Sequence, residues 1–180
     1  MTATQSAVWI DNPQAYRDKM EQLLGDRDPF SVLSETPDAL AVLTSRHPAK
    51  LLRTRPFPDK WTPNEIIGHL SDADWVYGFR MRMILCENEP KILGMDQDLW
   101  VAGQRLNDRE PREVVEMFRA LRGFNLLIWK QMSPTDFKRI GRHDERGPES
   151  LAQMLRMLAG HDLSHLGQIT RYIDAVKQMT

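Results

Sequence analysis

The sequence predicts an all-α protein, a four-helix bundle preceded by a short extra helix. Apolar residues recur at helical spacing along four amphipathic stretches. Two of these stretches open on a capping box, Thr62-Pro63-Asn64-Glu65 and Ser150 with Gln153. Prolines and glycines gather in the segments between them, as expected of connections.

Asp11 to Leu24 reads as the short leading helix, within an N-terminal extension of residues 1–28. The bundle domain then covers residues 29–180. Its first main helix runs from Pro29 to about Arg46, with a break expected near Thr36-Pro37, where a ring replaces a helical N–H. His47 to Trp61, with Pro48, Pro56 and Pro58, is expected to be a loop. The second main helix starts at the Thr62 box with proline in first position and runs to about Glu87, before Pro90. Its stripe is Ile66, His69, Ala73, Val76 with Tyr77, Arg80, and Met83 with Ile84.

Gly94 to Gln104 reads as a loop with a helical turn around Leu99 and Trp100. The third main helix runs from Pro111 to about Met132 through Val114, Val115, Phe118, Leu121, Leu126 and Trp129. Ser133 to Gly147 is an irregular connection with room for a small hairpin. The fourth main helix starts near Ser150, with a stripe of Leu151, Leu155, Leu158, His161, His165, Ile169, Ile173 and Val176.

The bulk properties exclude several classes. A chain of 180 residues suits one domain. A net charge of −1 with mixed signs argues against nucleic acid as the main partner. No apolar run approaches the roughly 18 residues of a membrane span. One cysteine, Cys86, rules out an internal disulfide, and it is expected as a small core residue. Met1 to Ala7 lacks the parts of a signal peptide, so the expected compartment is the cytoplasm. Met81, Met83, Met154 and Met157 suit core or dimer packing. His47 and His143 fall in connections, where solvation is expected.

Three histidines replace apolar residues on core-facing stripes. His161 and His165 are separated by about 40° of rotation and about 6 Å of rise, so both rings leave one helix face. With His69 from a neighbouring helix they form a three-nitrogen set with open positions, as in catalytic zinc sites. The alternative is three core histidines, each hydrogen-bonded.

Three segments stand out: Lys60-Trp61-Thr62 leading into Glu65, then His69-Leu70-Ser71-Asp72, and finally Gly160-His161-Asp162-Leu163-Ser164-His165-Leu166-Gly167-Gln168-Ile169. In these segments the chain resembles the DinB/YfiT-like superfamily of four-helix metalloproteins. The resemblance spans roughly Pro29 to Val176. Glu89-Pro90 through Asp96 to Trp100 is more loosely similar to members of the bacillithiol-transferase type. The resemblance implies up-down-down-up connectivity, a homodimer, and one divalent metal held by His69, His161 and His165, zinc or nickel first. It further implies transfer of a low-molecular-weight thiol to a small-molecule electrophile.

Three neutral imidazoles leave a metal its full charge, enough to bind a thiol as thiolate or to make hydroxide for hydrolysis. Beside transferase and hydrolase stands a third reading, a non-enzymatic stress protein with a structural metal. Asp72, three residues after His69, is expected either to orient a ligand or accept a proton, or to be an exposed helix aspartate. Glu65 is assigned to the capping box, and Asp162 and Ser164 to the helix sides. Arg80, about 16 Å beyond His69 at nearly the same helical angle, is expected to bind a carboxylate of substrate or thiol, or to pair with a buried carboxylate. Trp100, with Asp96, is expected at the mouth of the site or as a loop anchor.

Overall fold

The helices that begin at Pro13, Pro29, Pro63 and Leu151 each start where a side chain takes a free N–H group, whereas the one that begins at Pro111, after Glu110, has no side-chain cap. Asn12, Asp28, Thr62 and Ser150 all accept from the first turn, and both predicted capping boxes are closed in both directions. The computed structural model describes residues 12–179, so the readings of Asp11 and of Met1 to Ala7 lie outside the described residues. The helices are α1 (Pro13–Leu24), α2 (Pro29–Arg46), α3 (Ala49–Leu52), α4 (Pro63–Cys86), α5 (Gln97–Gly103), α6 (Pro111–Trp129) and α7 (Leu151–Lys177). Between them lie strands β1 (Lys91–Ile92), β2 (Ile140–His143) and β3 (Gly147–Ser150), with 3₁₀ turns at Leu106–Asp108 and Asp136–Lys138. No helix among the described residues is long and apolar enough to cross a membrane.

The four long helices form the expected bundle. Both α2 and α4 pack against α6 and α7, which makes α2 and α4 diagonal neighbours. Asn64 of α4 bonds the backbone of Leu106 and Arg109, just before α6, and Asp74 meets Arg122, so α4 and α6 are parallel. Arg119 reaches Asp38 while Arg122 reaches Leu33, so α2 runs against α6. Ile84 clusters with Leu151 and Leu155, and Ile66 with Ile169 and Ile173, so α4 and α7 are antiparallel. The connectivity is therefore up-down-down-up. The parallel step from α4 to α6 needs a long crossover, which residues 87–110 supply.

Several local expectations change. Helix α2 does not break at Thr36-Pro37. Pro37 has no N–H for the Leu33 carbonyl, but Arg122 Nη1 donates to that oxygen instead (2.8 Å), so the helix runs through. The connection after α2 holds the single turn α3, and the turn near Trp100 is the seven-residue helix α5. A hairpin does form, as β2 and β3, and β1 adds to it in parallel, giving the order β1-β2-β3. A two-residue strand is too short for sequence periodicity to reveal. Cys86 is exposed at the end of α4, and Met83 is half-buried, while Met81, Met154 and Met157 are core residues. His143 is not solvated; it is buried in β2.

Helix α1 belongs to the same core. Met20 and Leu24 are buried, and Gly160 of α7 lets the Met20 backbone lie directly on the helix, where a Cβ would collide with its carbonyl. Glu21 pairs with Arg156 of α7, and Arg17 with Glu149 of β3.

A polar layer separates two apolar clusters, one around Leu33, Met81, Trp129 and Leu158, the other around Leu40, Ile66, Phe118 and Ile169. At its centre is Arg122, 2% exposed, which joins all four long helices. It grips both oxygens of Asp162 (2.6 and 3.1 Å), one oxygen of Asp74 (2.6 Å) and the Leu33 carbonyl. Asn125 donates to the Asp74 side chain (2.9 Å) and backbone (2.8 Å). Asp162, expected on a helix side, is fully buried here. Desolvation opposes the charge on Arg122, but Asp162 and Asp74 together hold it above the usual guanidinium range. Two carboxylates share one cation, and burial pushes Asp74 upward.

Arg122→Met strands two buried carboxylates. It should destabilise the fold by about 3–5 kcal/mol in urea or guanidinium denaturation. A second expectation concerns pH. His143 is held down at about 4, by burial and then by Arg146 and Arg80, whereas in the unfolded chain it titrates near 6.5. Between those values only the unfolded chain takes up the proton, so stability should fall as pH drops from 6.5 towards 4. His143→Gln should weaken that dependence, to which the buried His69, His161 and His165 also contribute, when denaturation is compared at pH 7 and pH 5.

Candidate metal centre

The antiparallel packing of α4 and α7 brings the three histidines together. Two turns of α7 project His161 and His165, and His69 faces them from α4. The His69 and His165 Nε2 atoms each lie 3.1 Å from the His161 Nε2, and the three ligand atoms fall within 4.8 Å of one another. Two nitrogens at about 2.0–2.1 Å from one ion are about 2.9–3.3 Å apart for angles between 90° and 109°. The two 3.1 Å pairs, His69 with His161 and His165 with His161, fall in that range.

The donor chemistry fits as well. His165 Nδ1 carries the proton and donates to Gln168 Oε1 (2.8 Å), which leaves its Nε2 lone pair facing the other rings. The Nδ1 atoms of His69 and His161 are buried and without a partner among the described residues. Burial, then the neighbouring His165, pushes His69 well below the ordinary histidine range. Burial, then His165, His69 and Arg122, does the same to His161. Burial also holds His165 at about 4. Three neutral imidazoles directing ring nitrogens at one point make a set that a cation completes.

Two positions that carried only pattern in the sequence have physical roles. Trp61, 8% exposed, packs its ring on His69 at 4.8 Å between centroids and fixes one face of it. Gln168 fixes the His165 ring. It lies one turn beyond His165 on the same face, a spacing that could have pointed to it. Arg122 and Asp74 also escaped the sequence reading. Glu65 closes the capping box and pairs with Arg55 (3.0 Å).

The histidines open into a cavity of about 690 Å³. Arg80 and Ser164 line it, with Tyr16, Lys19 and Met20 from α1 and Arg146 from the hairpin. Asp96 lines the cavity at its rim and also caps α5, where it accepts from the Leu99 N–H. Asp72 is not beside the histidines. It faces α5, where Gln104 Nε2 donates to both its oxygens (3.0 and 2.9 Å), and burial pushes its carboxyl upward. Trp100 is not at the mouth either. Its ring stands 6.2 Å from that of Trp75, and both line a separate groove with Asp72. Asp72 is rotated by about 60° from His69 around α4, enough to carry it off the cavity wall and onto α5.

Purified wild-type protein should hold close to one divalent ion per chain by elemental mass spectrometry. The His161→Ala/His165→Ala double variant should hold less than a tenth of that while keeping its helical circular dichroism.

Comparison with known proteins agrees with this architecture. A curated protein of Oceanobacillus iheyensis, named "Putative metal-dependent hydrolase OB0782", is 29% identical over 111 residues, covering 61% of this chain and 63% of that protein. The chain thus spans about three-fifths of the curated relative it matches. The solved structure of YfiT from Bacillus subtilis, described as "a probable metal-dependent hydrolase with an unusual four-helix bundle topology", superposes with a TM-score of 0.72. It covers 79% of this chain and 84% of that one at 21% identity, a likeness of fold. The family model of the DinB superfamily matches residues 33–169, from α2 to the second half of α7. This chain is a member of the DinB superfamily.

Proposed function

We propose that this chain is a divalent-metal-dependent enzyme that joins a low-molecular-weight thiol to a small electrophile. In this reading His69, His161 and His165 hold the ion, with zinc or nickel first. The observation that carries it is the convergence of three neutral Nε2 atoms at the wall of a cavity large enough for a small molecule. A divalent ion bound there would supply a lowered pKa to a thiol or water in its open position.

The chain's own residues do the rest. Trp61 and Gln168 hold two of the rings in place. Met20, Ala73 and Val76 give the cavity apolar wall that limits water. Asp72 is engaged with Gln104 and is unsuited as a base for this cavity. The lining carboxylates, Asp96, Asp144 and Glu145, are exposed at the rim. A thiol or a water ionised by the ion itself needs no such base. A homodimer belongs to the same proposal. It is supported by Trp75, Phe79, Met117, Phe124 and Leu127, large apolar side chains exposed on α4 and α6.

A second reading, metal-dependent hydrolysis, is favoured by the names of the Oceanobacillus and Bacillus proteins. Turnover separates the two. The transfer reading expects glutathione-dependent loss of a chromogenic electrophile, reduced at least a hundredfold in the double histidine variant. Cleavage of an ester at the same rate without thiol would instead establish the hydrolase.

A further inference from the structure

The cavity has a second polar end that the metal reading does not use. Arg80 is 5% exposed, yet among the described residues it has no carboxylate within ion-pairing distance. Its Nη2 donates to the Leu93 carbonyl (2.5 Å), and its guanidinium carbon lies 5.7 Å from the centroid of the Tyr77 ring. One acceptor leaves most of a five-donor fork unused.

The surroundings do not complete it. Arg146 is a second cation nearby, and Glu149 is the buried anion of this corner. Glu149 already receives both bonds of Arg146 (2.5 and 2.9 Å), with Arg17 at 3.7 Å. Asp144 acts on Arg80 from the exposed hairpin turn, where it accepts from the backbone of Gly94 and Glu145. His143 is neutral, and Tyr16 and Tyr77 are phenols. Arg146 and Glu149 satisfy each other, so the buried guanidinium of Arg80 is left without an ion-pair partner among the described residues. A buried cation is costly until an anion meets it.

We infer that this end of the cavity is a carboxylate-binding subsite, in which Arg80 recognises an acidic group on the molecule whose reacting atom lies at the three histidines. The planar guanidinium matches a carboxylate in two parallel bonds. Tyr77 and Tyr16 line the same wall. Arg80 is about 16 Å beyond His69 along α4, less the reach of its side chain back towards the N-terminus, so acid and reacting atom are roughly 10–15 Å apart. That span suits a molecule the size of a tripeptide thiol. The acid belongs either to the thiol or to the electrophile. The inference rests on this cavity being the substrate site and does not require the metal.

The probe is glutarate, a dicarboxylate without a thiol, against its neutral dimethyl ester. Binding is measured by calorimetry on zinc-loaded and chelator-stripped protein. Both forms should prefer glutarate at least tenfold. Arg80→Gln should lose that preference, and Arg80→Lys should keep part of it. No preference in stripped wild type, or an unchanged preference in folded Arg80→Gln, overturns the subsite. Binding only to the zinc-loaded form also overturns it, and leaves the metal reading standing. A preserved preference without metal-dependent turnover does the reverse. In turnover, a tenfold rise in the KM of glutathione with kcat near wild type places the acid on the thiol. A rise only for an acidic electrophile places it there, and no rise for either overturns the inference.

Discussion

The bundle depends on one buried guanidinium. Arg122, on α6, reaches the other three long helices through Asp74, Asp162 and the Leu33 carbonyl. A charge at that depth is tolerable only when its bonds are filled, and filling them fixes the register of every helix it reaches. It also repairs the backbone of α2 by taking the acceptor that Pro37 leaves without a donor. Removing either partner would cost more than the pair contributes, because the other charge would remain buried alone.

The candidate metal centre inherits its geometry from that layer. Asp74 lies five residues from His69 on α4, and Asp162 adjoins His161 on α7. Locking those aspartates to one arginine sets how far α4 and α7 can slide, and so sets the spacing of the ring nitrogens. Trp61 and Gln168 then fix ring orientation, the part of the geometry that helix register leaves open. The same low-dielectric layer keeps the imidazoles neutral, which is the form a metal binds.

Helix α1 begins before the family match, yet it walls the cavity and packs on α7. It runs from the histidine end, where Met20 lies on Gly160, to the end that Tyr16 shares with Tyr77 and Arg146 of the hairpin. The three histidines and Arg80 lie within the family match, while Tyr16, Lys19 and Met20 of α1 add wall that lies outside it. Helix α4 serves both sides: one flank carries His69 and Arg80 into the cavity, and the other carries Asp72 and Trp75 to the groove beside α5.

The sequence alone was enough for the four long helices, the two capping boxes at Thr62 and Ser150, and the stripe positions of His69, His161, His165 and Arg80. These are local properties: periodicity, capping chemistry and the geometry of four residues on one helix. It did not reveal Arg122 or Asp74, and it placed Asp162 on a helix side rather than in the buried layer. A charged residue on a helix has the same local pattern whether it meets water or a buried partner. It placed Asp72 and Trp100 at the site because rotation around α4 and the path of the crossover decide which neighbour each one meets. Cys86 and His143 exchanged their expected environments for the same reason, one lying at an exposed helix end and the other covered by packing around the hairpin. Only tertiary structure decided these, since burial and pairing are set by contacts between segments far apart in the chain.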